Sequence, residues 1–367
     1  MKPTSFSRRD FLRDGASSAV AVAAAHVLPR VAHADAVPES LAAVAKAHGI
    51  LSGCAVNAAG LGNDAEFGKL VSAQSAIVVA ENAMKWNQLR PTPTTYDYSG
   101  ADHLVDFARQ HGIAVRGHNL CWHEALPRWF ADTVNKDNAA QFLTDHIRTV
   151  AGHFAGQLHS WDVVNEAIDL KDGRADGLRG SPWFWLLGAD YIDLAFRTAR
   201  AADPHARLVY NDYGIEEDEA KQAQKRDAVF QLVHAMQKRG TPIDAVGVQS
   251  HLAANAVCGD GLRHFIRDLH KLGLEVYVTE MDVDDSKIED SDRVRDHAVA
   301  ETYGKYLDLV LGEGVRLVLT WGITDRYTWL THQHNRTDHR VARGLPFDEN
   351  LQPVEAFRAM VGSLGRG

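Results

Sequence analysis

Short apolar runs rich in β-branched residues alternate along this chain with amphipathic stretches, and this alternation restricts the fold more than any other feature. The runs do not alternate polar and apolar side chains, so each predicts a strand that is buried on both faces, as in a parallel sheet covered by helices. Eight runs have this character: Ile50–Val56, Ser75–Ala80, Ile113–Gly117, Ser160–Val164, Arg207–Asn211, Ala245–Gln249, Leu274–Thr279 and Arg316–Trp321.

Helical periodicity occupies the stretches between these runs, and Gly112, Gly240 and Gly273 stand where C-terminal caps are expected. Eight strand-then-helix units predict an α/β fold, a (β/α)8 TIM barrel in a single domain. A doubly wound open sheet is the alternative, but Asn57–Gly62 does not match the glycine-rich phosphate loop which that fold favours after its first strand. The predicted helices include Gly100–His111, Ala139–His153, Tyr191–Ala202, Glu217–Lys238, Leu262–Leu272 and Asp292–Leu311.

The N-terminus has the pattern of an export signal. Arg8 and Arg9 lie in a twin-arginine motif, and a weakly apolar stretch from Ala16 to Leu28 follows it. That stretch is too short and too rich in alanine to span a bilayer, and a small-x-small cleavage site ends at Ala34. We therefore expect residues 1–34 to be a signal peptide and residues 35–367 to be the barrel domain. A disordered basic tail is the alternative.

Charge limits the partners of the exported chain. Residues 1–34 carry five basic side chains against two acidic ones, so the remaining chain has a net charge of −12, compared with −9 for the whole sequence. This balance disfavours nucleic acid and anionic membranes as partners and fits a neutral polymer. We expect a folded monomer in the periplasm or outside the cell, with no membrane anchor once the signal is removed.

The three cysteines do not indicate a disulfide framework or a metal site. Cys54 and Cys121 lie in predicted strands, and Cys258 lies in a predicted loop. Three cysteines cannot all pair, and their spacing matches no metal motif. We interpret them as two buried apolar thiols and one loop thiol.

Two carboxylates stand at strand ends, where a TIM barrel places its chemistry. Glu166 closes the run from Ser160, and Glu280 closes the run from Val276. Two carboxylates at one rim are what glycoside hydrolysis requires, because one donates a proton while the other acts as nucleophile or base. The remaining strand ends carry amides, Lys, His and aromatic residues, which suit the hydroxyls and the apolar C–H face of a sugar.

The strand-end motifs resemble those of the family 10 glycoside hydrolases, which are xylanases. The resemblance runs from about Gly53 to about Phe357 and includes no separate carbohydrate-binding module. It implies internal cleavage of β-1,4-linked xylan with retention of configuration and without a cofactor or metal. The matching motifs are Glu81–Trp86, Gly117–His123, Trp161–Glu166, Asn211–Tyr213, Gln249–His251, Thr279–Asp282 and Thr320–Asp325.

The resemblance also assigns roles to residues of this sequence. Glu166 matches the acid/base and Glu280 the nucleophile. His251 would hold Glu280 ionised, with Asp282 fixing the imidazole, while Asn165 would bond the 2-hydroxyl of the sugar. The other implied contacts are Gln249 with the carboxylates, Glu81, Asn82, Lys85 and His118 with the glycone, Trp122, Trp321 and Trp329 beside the cleaved bond, and Tyr213 towards the leaving group.

Two other classes of function remain as alternatives. A metal-dependent barrel hydrolase could gather its ligands from the strand ends, but His118 and His123 are five residues apart, which suits neither a His-x-His nor a His-x-x-x-His spacing. A carbohydrate-binding protein without catalysis could retain the cleft, although both glutamates are present. The ligands considered for a metal are His118, His123, His251, Glu280 and Asp282.

Overall fold

The structure is a computed structural model that describes residues 40–333 and 339–367. The predicted signal peptide, residues 1–34, lies outside these residues, so the export signal and the boundary at residue 35 stay predictions. None of the helices in the described ranges is long and apolar enough to cross a membrane.

Eight parallel strands close into a barrel, which confirms the predicted TIM fold. Each strand pairs with the next around the ring, and β6 pairs with β8. The largest difference from the predicted runs is at β8, which continues five residues beyond Thr279, while β7 is a short extra strand beside its end. The strands are β1 Leu51–Val56, β2 Ile77–Ala80, β3 Ala114–His118, β4 Ser160–Asn165, β5 Arg207–Asp212, β6 Ala245–Val248, β7 His251–Ala253, β8 Glu275–Asp284 and β9 Leu317–Thr320.

The helices surround this ring, and the six predicted ones are present. Gly112, Gly240 and Gly273 adopt φ values of +67°, +64° and +76°, the left-handed backbone that ends a helix and favours glycine. The helices are α1 Leu41–Ala47, α2 Ala58–Asn63, α3 Ala65–Gln74, α4 Trp86–Leu89, α5 Ser99–His111, α6 Phe130–Thr133, α7 Ala139–His153, α8 Pro182–Leu187, α9 Tyr191–Ala202, α10 Ala220–Lys238, α11 Asp260–Lys271, α12 Asp292–Gly312, α13 Leu330–Gln333 and α14 Glu355–Leu364.

The core has an outer layer between strands and helices and an inner layer inside the barrel. Val79, Val209 and Leu319 belong to the inner layer and are almost fully buried. Polar side chains also lie inside the barrel: Arg116 is fully buried and donates to Ser160 Oγ and to Asp162 Oδ1. A buried guanidinium must be paired, and Asp162 supplies the opposite charge. This ion pair lies inside the barrel, beneath its carboxyl-terminal rim.

Candidate active site

The two predicted carboxylates lie at the carboxyl-terminal rim, and both are buried. Glu166 directly follows β4, and only 9% of it is exposed; Glu280 lies within β8, and 5% of it is exposed. Glu166 has a φ of +58°, which is unusual for a residue other than glycine and turns its side chain off the line of the strand. Its carbonyl accepts a hydrogen bond of 2.8 Å from Arg179 Nε.

A chain of amides connects the two carboxylates. Asn211 Nδ2 donates to Glu280 Oε1 at 2.7 Å and to Asn165 Oδ1 at 2.8 Å. Asn165 Nδ2 in turn donates to Glu166 Oε1 at 3.0 Å, and Gln249 Nε2 donates to the same oxygen at 3.1 Å. Because the amides come from β4, β5 and the end of β6, closure of the barrel fixes the position of one carboxylate relative to the other.

Glu280 is surrounded by groups that favour its ionised form. Burial acts to raise its pKa, but the charge of His118, the contact with His251 and the bond from Asn211 lower the pKa to about 2. His251 Nε2 lies 3.3 Å from Glu280 Oε2, and its Nδ1 lies 2.8 Å from Asp282 Oδ1. Burial opposes the charged imidazole, yet Asp282 and Glu280 raise the pKa of His251 well above its usual range.

His118 links Glu280 to the ion pair of Arg116 and Asp162 inside the barrel. Its Nδ1 lies 3.0 Å from Asp162 Oδ2 and 3.8 Å from Glu280 Oε1. Arg116 occupies the other oxygen of Asp162. Sequence reasoning had not assigned a role to Asp162, although it lies in the motif that ends at Glu166.

Glu166 is shifted in the opposite direction. Burial raises its pKa, and the charges of Asp212 and Glu280 act in the same direction, while the bond from Gln249 partly offsets them. A carboxyl group with a raised pKa beside one with a depressed pKa is the pattern of an acid paired with a nucleophile or stabilising carboxylate. The geometry is therefore suited to general acid catalysis at Glu166.

One wall of the rim combines Lys85 with aromatic rings. Lys85 Nζ donates to Asn82 Oδ1 at 2.9 Å and lies 5.1 Å and 5.8 Å from the ring centroids of Trp122 and Trp321. Burial lowers the pKa of Lys85, and the nearby carboxylates oppose this shift. Glu81 accepts from Asn57 Nδ2 at 3.1 Å.

Two tryptophan rings of the rim pack against the histidines that surround Glu280. The ring of Trp321 lies 5.3 Å from that of His118, and the ring of Trp329 lies 5.0 Å from that of His251. Trp329 Nε1 donates to Asp282 Oδ2 at 2.6 Å, so Asp282 fixes this indole as well as the imidazole of His251. The structure thus brings these predicted contacts to the same rim as the two carboxylates.

Tyr213 stands at the Glu166 side of the rim, with 38% of it exposed. Its hydroxyl accepts from Arg179 Nη2 at 3.2 Å, and Lys225 Nζ lies 3.9 Å from its ring centroid. Lys225 also pairs with Asp212 at 2.8 Å. Sequence reasoning missed Arg179 and Lys225. Arg179 lies in the connection after β4 and Lys225 lies near the start of α10, so neither stands at a strand end.

A metal ion has one candidate position among the described residues. Ligand atoms of His118, Asp162 and Glu280 lie within 4.8 Å of one another. This group differs from the set considered from the sequence, since it includes Asp162 and omits His123, His251 and Asp282. Arg116 already bonds to Asp162, and its fixed positive charge opposes a second cation at this position. The contacts of these three residues with one another and with Arg116 account for their positions.

Relatives of this chain carry xylanase names. "Beta-1,4-xylanase" of Dictyoglomus thermophilum is 37% identical over 296 residues, which cover 77% of this chain and 80% of that protein. "Endo-1,4-beta-xylanase B" of Paenibacillus barcinonensis is 35% identical over 314 residues, which cover 80% of this chain and 90% of that protein.

Solved structures extend the comparison to the whole barrel. Native xylanase 10B from Thermotoga maritima matches with a TM-score of 0.82 and 33% identity, over 89% of this chain and 98% of that one. Xylanase 10B from Thermotoga petrophila in complex with xylobiose also gives 0.82, with 32% identity over 90% and 98%. The model of Glycosyl hydrolase family 10 matches residues 40–363. The resemblance seen in the sequence is confirmed, and the chain belongs to glycosyl hydrolase family 10.

Proposed function

We propose that this protein is an endo-1,4-β-xylanase that hydrolyses internal β-1,4-xylosidic bonds of xylan with retention of configuration. One observation carries the proposal: the rim holds two buried carboxylates, linked by amides, with pKa values shifted in opposite directions. The xylanase names of its relatives and the xylobiose complex of a similar structure support this choice of substrate.

The first chemical step assigns one role to each carboxylate. Glu280, ionised, attacks the anomeric carbon, while Glu166 gives its proton to the departing glycosidic oxygen. The sugar is left esterified to Glu280, which requires the two carboxyl groups to stand ~5–5.5 Å apart on opposite sides of the bond. Asn165 bonds to Glu166 and is linked to Glu280 through Asn211, and it is proposed to bond the 2-hydroxyl.

The second step reverses the role of Glu166. Esterification removes the negative charge of Glu280, and that charge is one of the factors that raise the pKa of Glu166. The pKa of Glu166 therefore falls once the intermediate has formed, so its carboxylate is ready to take a proton from the attacking water. Attack from the face that the leaving group vacated gives net retention.

The remaining rim residues are proposed to bind the chain. Glu81, Asn82, Lys85 and His118 bond hydroxyls on the glycone side, and Tyr213 contacts the leaving group. Trp321 and Trp329 close over the position where a six-carbon sugar carries its hydroxymethyl arm, with Trp122 beside the cleaved bond. Gln249 orients Glu166, while His251 and Asp282 keep Glu280 ionised.

A panel of β-linked polysaccharides tests the substrate. Xylan should exceed carboxymethyl cellulose in kcat/KM by about 10–200-fold, because a clash or a lost contact of this size is worth ~1–3 kcal/mol. Equal rates on the two polymers would refute the assignment. NMR of the first product gives the stereochemistry, and an α-anomer formed first from a β-xyloside would exclude double displacement.

The two alternative functions have direct tests in the same assay. Slow but real release of reducing ends from xylan dismisses a binding protein without catalysis. Loss of activity on treatment with a chelator, restored by a divalent cation, would support the metal-dependent alternative at His118, Asp162 and Glu280.

The N-terminal sequence supports a further proposal, that the folded enzyme leaves the cytoplasm by the twin-arginine route and acts as a monomer in the periplasm or beyond. Changing Arg8 and Arg9 together to Lys should leave a folded, active enzyme in the cytoplasm, because the arginine pair is recognised by the export receptor. Fractionation of cells measures this, and undiminished export of the double variant would contradict the route.

A further inference from the structure

Three consecutive residues after β6, the 249–251 turn, contact both catalytic carboxylates. Gln249 Nε2 donates to Glu166 Oε1 at 3.1 Å, and His251 Nε2 lies 3.3 Å from Glu280 Oε2. Ser250 stands between these two residues and is fully buried. The backbone conformation at Ser250 therefore decides whether both neighbours reach their glutamates at the same time.

Ser250 has a left-handed backbone, with a φ of +68°. This conformation costs free energy in a residue other than glycine, so it persists where surrounding contacts impose it. The carbonyls of Gln249 and Ser250 accept from the backbone N–H groups of Glu280 at 3.0 Å and of Asp282 at 3.3 Å. The N–H of Ser250 is bonded instead to a side chain, because it donates to Glu216 Oε1 at 2.9 Å.

Glu216 lies in the connection between β5 and α10, and only 2% of it is exposed. Both of its carboxylate oxygens accept from backbone N–H groups, Oε1 from Ser250 and Oε2 from Ile215 at 2.7 Å. A buried carboxylate is costly unless it is bonded in this way, and such bonds are stronger than those between neutral groups. The segment is fixed to α10, since Gln222 Oε1 accepts from the N–H of Glu216 at 2.8 Å and Arg226 Nη1 donates to the carbonyl of Ile215 at 3.2 Å.

The side chain of Ser250 is held by a second helix. Its Oγ donates to the carbonyl of Val248 at 3.1 Å and lies 2.6 Å from the hydroxyl of Tyr306. Because the hydroxyl proton of Ser250 goes to Val248, Tyr306 is the donor of the second bond. Tyr306 belongs to α12 and is buried. The turn is therefore bonded to the β5–α10 connection through its backbone and to α12 through its side chain.

We propose that Glu216 and Tyr306 are positioning residues for both catalytic carboxylates. They hold the 249–251 turn so that its first side chain orients the acid and its third side chain contacts the nucleophile. Both residues act through the turn and not on the reacting atoms. The inference rests on the proposed function and adds to it the groups that place the partners of the two glutamates together.

The pH profile of kcat/KM tests this role. Glu216→Gln keeps the shape of the side chain but replaces one oxygen by an NH2 group, which cannot accept from a backbone N–H. As the turn relaxes, a weaker bond from Gln249 raises the pKa of Glu166, and a weaker contact with His251 raises the pKa of Glu280. Glu280 sets the acidic limb and Glu166 the basic limb, so both limbs should move to higher pH by about half a unit. The kcat/KM for xylan should fall by about 10–100-fold, because the reacting groups are misplaced.

The direction of the shift separates positioning from other roles of Glu216. Loss of its negative charge alone would make both catalytic carboxylates easier to ionise and would move the limbs to lower pH. A residue that only supports the fold would lower the melting temperature and leave both limbs in place. Burial raises the pKa values of Tyr306 and Cys258, so both stay neutral, and Arg226 stays charged. The titratable and charged groups close to Glu216 are His251 on the turn, Tyr306 on α12, Cys258 before α11, Arg226 on α10 and the adjacent Glu217.

Glu217→Gln is the matched control. Glu217 is the next residue in the same connection, is half-buried and bonds to Gln222 through its carboxyl group. The substitution removes a charge beside Glu216 and leaves the bond to Ser250 in place, so both limbs should coincide with those of the wild type.

Tyr306→Phe tests the same turn with Glu216 in place, and it decides the question if Glu216→Gln does not fold. It keeps the ring and removes one hydrogen bond, so both limbs should move to higher pH by less than in Glu216→Gln, with a loss in kcat/KM of about three- to tenfold. Limbs that stay in place or move to lower pH in either folded variant would overturn the proposal. Failure of the proposed function is distinguishable, because then the wild type itself does not cleave xylan.

Discussion

The strands β4 and β8 deliver the same kind of side chain to one rim, but the surroundings of the two carboxylates differ. Within β8, Glu280 is close to two imidazoles and accepts from Asn211. At the end of β4, Glu166 accepts from the neutral amides of Asn165 and Gln249, and the charges that act most strongly on it are those of other carboxylates.

This difference teaches that burial alone does not decide the charge of a carboxyl group. Burial acts to raise the pKa at both positions. The two imidazoles and the bond from Asn211 reverse this effect on the pKa of Glu280, while the bond from Gln249 only reduces it at Glu166. The backbone differs as well, because Glu280 lies within β8, whereas Glu166 has a left-handed backbone whose carbonyl is held by Arg179.

The largest expected effect comes from removing the carboxylate of β8. Glu280→Ala should abolish turnover of every glycoside, by roughly 10⁵-fold or more, because no covalent intermediate can form. Glu275→Ala is a matched control, since Glu275 lies on the same strand, pairs with Arg207 and is partly exposed at the opposite end of the strand. Rates on xylan and on an aryl xyloside measure the effect. Steady turnover of the aryl xyloside by Glu280→Ala would contradict the assigned role.

Removing the carboxylate of β4 should have a selective effect. Glu166→Ala should lower xylan cleavage by about 10²–10⁴-fold, the usual contribution of a general acid or base. An aryl xyloside whose leaving group departs as a stable phenolate needs no acid in the first step, so its glycosyl-enzyme should form and then accumulate. Stopped-flow detection of phenolate should therefore show a burst followed by a slow steady state.

Adding azide to the same assay distinguishes the roles of the two glutamates. A small anion can enter the space left by the Glu166 side chain and attack the intermediate without a base, so azide should accelerate the steady state and give a β-glycosyl azide. Glu280→Ala should not respond to azide in this way. If Glu280→Ala shows the burst and the azide product while Glu166→Ala is inactive, the two roles are reversed.

Glu166 and Glu280 could be predicted from the sequence because a barrel places the ends of its strands at one rim. Continuous apolar runs defined the strands, and the polar residue at each end marked the chemistry. Arg179 and Lys225 could not be found in this way. Lys225 lies within a helix whose periodicity does not show which strand end it meets, and its partner Asp212 becomes its neighbour only through barrel closure.

A smaller effect concerns the cationic surroundings of Glu280. A nearby imidazolium favours the ionised carboxylate, so removing it raises the pKa of Glu280, which stands at about 2 in the native protein. His251→Gln should therefore move the acidic limb of the kcat/KM profile to higher pH by about one unit, which corresponds to about 1.4 kcal/mol. His264→Gln, a change of an exposed histidine on α11, is the control. A shift of the basic limb alone would show that His251 acts on Glu166 instead.

The smallest expected effect comes from removing Arg179, which supports Glu166. Arg179 lies on the Glu166 side of the rim, where it bonds to the Glu166 carbonyl, to Asp169 at 2.9 Å and to the hydroxyl of Tyr213 after β5. Arg179→Met should lower kcat/KM for xylan by about three- to tenfold, the worth of one or two hydrogen bonds, because Glu166 is less well oriented as an acid. Release of a stable phenolate from an aryl xyloside needs only Glu280, so its rate should fall less.

Loss of the Arg179 cation also disfavours ionised Glu166, so the basic limb of the kcat/KM profile should move to higher pH. Asp169→Asn, which removes the charge that pairs with Arg179 but keeps an oxygen that can accept from its Nη1, is the control. An equal loss on both substrates, with no movement of the basic limb, would mean that Arg179 supports the barrel as a whole and that the two strand ends are not held independently.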